Sequence, residues 1–132
     1  MTPDFVLIDD DDICNMLTEM MLFNIAPQSS VKLFNNSFDG WDYLASIADK
    51  ELTNPLIIFL DINMPGLTGW DILDNLKLHG NQINKNCKVY MLTSSIDPKD
   101  KEKANNHELV KGFFEKPLIN LNLKAFIDLG DQ

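Results

Sequence analysis

Arginine is absent from this chain of 132 residues, and all 11 of its basic side chains are lysines set against 20 Asp and Glu. The formal net charge is -9. A nucleic-acid binder needs a basic stripe for phosphate contacts, so that class is excluded, as is any site built on a bidentate Arg clamp. Long apolar runs are also missing. None approaches the ~20 residues of a membrane-spanning helix, and the Met1-Thr2-Pro3-Asp4 start lacks the basic and apolar regions of a secretory signal. A cytoplasmic location, with no membrane partner, is the expectation. Cysteine is scarce. Cys14 and Cys87 have no metal-type spacing and are expected to be small buried or half-buried thiols without a redox role.

What the chain does have is an ordered set of polar residues, each just after a short apolar run. Asp9 and Asp10 follow Phe5-Val6-Leu7-Ile8, and Asp61 follows Leu56-Ile57-Ile58-Phe59-Leu60. Thr93 follows Val89-Tyr90-Met91-Leu92, and Lys116 closes the segment that begins at Val110. Runs of this length bounded by Pro, Gly, Asn and Asp read as buried parallel strands. The reading places strands at 5–8, 31–34, 56–60, 88–92 and 110–115. Between them lie helices: one with Ile13, Met16, Leu17, Met20 and Met21 at helical spacing after an Asp11 or Asp12 cap, and one opened by Ser37 with Trp41, Leu44, Ala45 and Ala48. A third is capped by Thr68 and stopped by Gly80, a charged fourth spans 99–107, and a last one spans 118–129.

Five strands alternating with helices imply an α/β, doubly wound (βα)5 fold with a five-stranded parallel sheet. The common strand order 2-1-3-4-5 would set strands 1 and 3 side by side at the switch point, where ligands bind beyond the strand ends. The carboxylates follow those two strands. Three carboxylates, a hydroxyl and an ammonium on one rim suit Mg²⁺ or Mn²⁺ and a phosphoryl group. Asp61 could also serve as a nucleophile, since carboxylates form aspartyl phosphates.

The motifs Leu-Ile-Asp9-Asp10, Leu-Asp61-Ile-Asn-Met-Pro65-Gly-Leu-Thr-Gly69, Leu-Thr93-Ser-Ser and Glu-Lys116-Pro117, in this order, resemble those of response-regulator receiver domains, the phosphoaccepting modules of two-component signalling. The resemblance runs from Phe5 to about Leu129. It implies a flavodoxin-like fold and a single-domain response regulator over 1–132, without an output domain or enzymatic activity of its own beyond assisting its phosphorylation and dephosphorylation. In the roles it implies, Asp61 accepts a phosphoryl group from a histidine kinase or histidine phosphotransfer protein. Asp9, Asp10, Asp61 and the Asn63 main-chain carbonyl hold the metal. Thr93 and Phe113 form the switch, Lys116 contacts the phosphoryl group, and the Lys116-Pro117 peptide is cis. A downstream target protein would read the signal from a monomer or weak dimer. Phe113 lacks the hydroxyl of a Tyr switch. Asp11 and Asp12 are read as a solvated helix start, Trp41 and Trp70 as helix-face packing, and His79 and His107 as surface residues at helix ends.

Two other readings fail, one on motif order and one on the loop after strand 1. A metal-dependent aspartyl-phosphate phosphatase of the haloacid-dehalogenase type carries Asp-x-Asp near its N-terminus and its acidic pair last, whereas here the pair comes first. A flavin binder needs a Ser-, Thr- or Gly-rich phosphate loop after strand 1, where this chain has four Asp.

Overall fold

A computed structural model describes residues 4–80 and 82–118. Apolar runs with alternating side-chain direction build the sheet. In β1 (Phe5–Ile8), Val6 and Ile8 enter one core cluster, and Phe5 and Leu7 the other. In β3 (Leu56–Asp61), Leu56, Ile58 and Leu60 face the first cluster, and Ile57 and Phe59 the second. β4 (Cys87–Thr93) divides in the same way, with Val89 and Met91 on one side and Tyr90 and Leu92 on the other. A strand apolar on both faces is stable only when covered on both. β2 (Val31–Phe34) and β5 (Val110–Glu115) are less buried and form the edges. All pairs are parallel, in the order β2-β1-β3-β4-β5. Between Val89 and Tyr90 the β4–β5 register slips, leaving Lys111 unpaired between Val110 and Gly112.

Helix α1 (Asp12–Ile25) covers the second cluster through Met21 and Leu22. Helices α2 (Ser37–Ser46) and α3 (Gly69–His79) cover the first through Leu44, Ile72, Leu73 and Leu76. Burying each such side chain fully is worth about 1.5–3 kcal/mol. Helix α4 (Pro98–Asn105) buries only Ala104. Its hold on α3 is polar: Trp70 Nε1 donates to Asp100 Oδ1 at 3.2 Å, and Lys103 Nζ sits 4.7 Å from the centre of the Trp70 ring. Trp70 therefore does more than pack a helix face. The helix expected over 118–129 lies outside the described residues, apart from Leu118, which is buried.

Three expectations change. The first helix buries only part of the expected set: Met21 is buried and Leu17 half-buried, but Ile13, Met16 and Met20 are not. Cys14, Asn15, Thr18, Met21 and Leu22 turn inward, while Ile13, Met16, Met20 and Phe23 lie exposed. The helix is apolar nearly all round, so periodicity alone could not choose its face. Its start is set instead by Asp11, which accepts from the Ile13 and Cys14 amides, and by Asn15, whose Nδ2 donates to the Asp9 carbonyl at 2.7 Å. Ser37 is not the cap of α2. Asn36 is, accepting from the Asp39 amide at 2.9 Å. His107 is half-buried, with Nδ1 accepting from the Leu109 amide at 3.2 Å. Burial, with Lys77 nearby, lowers its pKa. His79 is exposed as expected and lies against Trp41.

The shifted face of α1 gives the first test. Leu22→Ala should cost about 3 kcal/mol, whereas Met20→Ala should stay within about 0.5 kcal/mol, both read by urea denaturation. Equal losses would reject the orientation of α1.

Candidate functional site

Asp9 continues β1 and Asp61 ends β3. The two strands are hydrogen-bonded neighbours, so both carboxylates come to one rim. Both side chains are almost fully buried, at 2% and 3% exposure. Asp10 beside them is exposed. One carboxylate oxygen from each of Asp9, Asp10 and Asp61 can lie within 4.8 Å of the others. From the end of β5, Lys116 Nζ reaches both Asp9 oxygens at 3.2 Å and Asp61 Oδ2 at 3.3 Å. Its side chain is 11% exposed. The Lys116-Pro117 peptide is cis, as the resemblance implied.

The electrostatics follow from this crowding. Burial first, then the charge of Asp9, pushes the Asp61 carboxyl up to about 7, with Lys116 pulling the other way. Burial lowers the pKa of Lys116, but Asp9 and Asp61 outweigh it and raise the pKa above that of a free lysine. One lysine facing three acids leaves the site electron-rich. Asp61 Oδ2 is buried without a well-aligned hydrogen-bond donor among the described residues. Hard oxygen donors, two of the three carboxylates buried and one open to solvent, fit a Mg²⁺-class cation that keeps part of its water shell.

Thr93 ends β4 and is buried. Its hydroxyl donates to the Ser95 carbonyl at 2.8 Å and accepts from the Ser95 amide at 3.2 Å. It is thus engaged with the loop leading to α4. The Lys116 amide donates to the Thr93 carbonyl at 2.7 Å, tying the ends of β4 and β5 together. Phe113 pairs with Met91 and is half-buried against the first core cluster. Asn63 is exposed, its amide 3.3 Å from Asp61 Oδ1, at the start of the loop after β3. That loop turns on Gly66 at φ +81°, a conformation L side chains rarely adopt. It ends at Gly69, where a Cβ would run into the Asp61 carbonyl. Every expected site residue therefore lies at the carboxyl end of the sheet except Phe113, which sits within β5.

Some contributors carried no sequence signal of function. Asn15 fixes the Asp9 carbonyl from a position read only as helix. Cys14 is buried beside Asp9, and burial, followed by the Asp9 charge, pushes its thiol up to about 12, so it stays protonated. Burial likewise raises Cys87 to about 11.

The model of the response regulator receiver domain family matches residues 5–128. The chain belongs to the response regulator receiver family. Protein PilG of Pseudomonas aeruginosa is 32% identical over 126 residues, which span 92% of this chain and 85% of that protein. A two-component response regulator from Cytophaga hutchinsonii superposes with a TM-score of 0.83 at 30% identity, covering 98% of both chains. A receiver protein from Dyadobacter fermentans shares the fold, with a TM-score of 0.81 at 23% identity over 96% of each chain. This receiver is thus a signalling domain of two-component systems, and such systems pair receivers with histidine kinases. Among its described residues, no helix is long and apolar enough to cross a membrane.

The raised Asp61 carboxyl predicts a pH dependence for this receiver. Its folded pKa of about 7 exceeds the ordinary aspartate value of 3.8, so the folded state binds that proton more tightly than the unfolded state. The stability this group contributes is full below about pH 4 and is lost as pH rises through about 7. In EDTA, the Tm of the wild type should therefore fall, relative to Asp61→Asn, between pH 5 and 8. Excess Mg²⁺ at pH 8 should raise the wild-type Tm by at least about 5 °C and leave the variant nearly unchanged. Parallel pH profiles in EDTA would reject the assigned environment of Asp61.

Proposed function

We propose that this receiver accepts a phosphoryl group on Asp61 from a phosphohistidine of a sensor kinase or histidine phosphotransfer protein, and passes the change to a downstream protein. The observation that carries this is the buried Asp61 carboxylate, flanked by Asp9, Asp10 and Lys116 at the sheet switch point. Asp61 is the nucleophile: one of its oxygens forms a bond to phosphorus as the P–N bond of the phosphoimidazole breaks. The electron pair leaves with the imidazole nitrogen, which takes up a proton. Asp61 must be ionised to act, and Lys116 favours that form.

Asp9, Asp10, Asp61 and the Asn63 main-chain carbonyl are the proposed ligands of a Mg²⁺ or Mn²⁺ ion. Such an ion, when bound, offsets the charge of the carboxylates and of the transferring oxygens. Lys116 neutralises another phosphoryl oxygen, which requires it to loosen its hold on Asp9. Thr93 supplies a hydroxyl by giving up its bonds to Ser95. That exchange pulls on the loop into α4, a helix held by the Trp70 contacts and one buried alanine. Phe113, half-buried on the same side of the sheet, completes the switch. Weakly packed segments of this kind are the ones that shift between states.

The docking face for the donor lies on α1. Ile13, Met16, Met20 and Phe23 recur at the 3-4-3 spacing of a helix seam and are 51–68% exposed. The seam starts within one turn of the acidic cluster. The charges on α1 are Asp12 and Glu19, so a partner helix flanked by Lys or Arg fits it best.

Intact mass after incubation with acetyl phosphate and Mg²⁺ should show one phosphate adduct that is lost in EDTA and absent in Asp61→Asn; an adduct of equal yield in the variant would remove Asp61 from its role. Met20→Asp should slow labelling by a phosphohistidine protein at least about tenfold, roughly 1.4 kcal/mol, and leave the acetyl phosphate reaction in place. An unchanged rate from the protein donor would reject α1 as its docking face.

A further inference from the structure

The loop that follows the acceptor aspartate is held at its tip from outside. Ser37, the first residue of α2, is buried, at 1% exposure. Its hydroxyl donates to the Pro65 carbonyl at 2.9 Å and accepts from the Leu67 amide at 3.0 Å. These partners flank Gly66, the residue at positive φ. The Phe38 ring lies over Gly66, where a Cβ would strike it. The N-terminus of α2 does not need the Ser37 side chain, because Asn36 and Asp39 cap it through the Asn36 carboxamide. At its far end the loop is fixed by the capping box of Thr68 and Asp71 and by the Gly69 amide on the Ile62 carbonyl. Ser37 is the side chain from another element that ties down the stretch between these anchors.

We infer that Ser37 is a positioning residue for cation binding in the acceptor pocket, acting through the 63–67 loop it clasps. The loop begins at Asn63, whose main-chain carbonyl is the ligand proposed above, and this inference rests on that reading. The clasp costs the loop its freedom before the ion arrives. An ion that uses Asn63 then meets a loop already ordered, and so binds more tightly. Without the hydroxyl, the Pro65 carbonyl and Leu67 amide lose a buried partner and the turn on Gly66 relaxes. The ordering must then come out of the binding of the ion.

The test is a Mg²⁺ titration read by tryptophan fluorescence or calorimetry, with the acetyl phosphate rate measured at saturating Mg²⁺. Ser37→Ala should weaken Mg²⁺ binding about three- to tenfold, the equivalent of one or two neutral hydrogen bonds. Its rate at saturating Mg²⁺ should remain within about twofold of wild type, since Asp61 and Lys116 are untouched. Ile47→Val, at the buried C-terminal end of α2 and away from the loop, is the control for a merely softened helix. An affinity within twofold of wild type for Ser37→Ala, or a loss no greater than that of Ile47→Val, would overturn the inference. If Ser37→Ala does not fold, amide hydrogen exchange on the wild type decides. By linkage, Mg²⁺ should slow exchange at the Leu67 amide, and an unchanged rate rejects the role. Wild type that binds no Mg²⁺ rejects the ligand assignment itself and this inference with it, whereas wild-type binding with an unaffected Ser37→Ala rejects Ser37 alone.

Discussion

Two carboxylates buried side by side at the ends of β1 and β3 are the constraint around which this domain is arranged. Two carboxylates this close in a buried setting need compensation, and Lys116 supplies part of it from the end of β5, two positions from β3 and three from β1 in the sheet. Burial, and after it the remaining excess of negative charge, pushes the Asp61 carboxyl up to about 7. The same excess suits the pocket to a hard cation rather than to an anion approaching alone. Sheet, cap and loop all serve this juxtaposition. β1 and β3 are neighbours because the chain reverses its winding between them, and Asn15 pins the carbonyl that follows β1. The Thr93 carbonyl receives the Lys116 amide, which sets the height at which β5 releases its lysine.

The same arrangement separates a rigid half from a yielding one. β1, β3 and β4 bury nearly every side chain on both faces. Helices α2 and α3 pack Leu44, Ile72, Leu73 and Leu76 against them. On the β4–β5 side, α4 has little apolar surface to contribute, and its Trp70 contacts are polar and cationic. Chemistry at the rigid rim can therefore be transmitted to a face that moves at low cost. The seam proposed for the donor on α1 lies across the sheet from α4, so on that proposal arrival and readout would use different faces of one sheet.

Much of the fold and most of the rim were legible in the amino-acid order, for a physical reason. Buried parallel strands must be apolar on both faces, so each run of four to six apolar residues declared itself, and the polar residue at its end marked the rim. Asp9, Asp10, Asp61, Thr93 and Lys116 stood out in this way. The face of α1 did not, because Ile13, Met16, Met20 and Phe23 are as apolar as the residues that are buried. Ser37 was legible as a helix-start residue and not as a clasp, since a serine hydroxyl before a helix suits either use and only the approach of Pro65 and Leu67 decides. The half-buried state of His107 and the raised carboxyl of Asp61 depend on neighbours distant in the chain, which local pattern does not encode.

The slipped register between β4 and β5 bears on which length changes this fold can absorb. Lys111 is the extra residue, and beyond it every β5 side chain points to the face opposite the one an unbroken ladder would give. With Lys111 in the chain, Phe113 meets the first core cluster and Phe114 the second only because the register slips there. Removing Lys111 would restore an unbroken ladder and leave both phenylalanines on their present faces, whereas removing a residue beyond Gly112 would turn the rest of the strand that leads to Lys116 to the opposite face. Adding or removing a residue in the exposed stretch 94–97 would leave the parity of both strands untouched. Drift in chain length is thus open between Thr93 and α4 and by loss of the bulge residue, and closed in β5 beyond Gly112, and homologues that differ in length should differ accordingly.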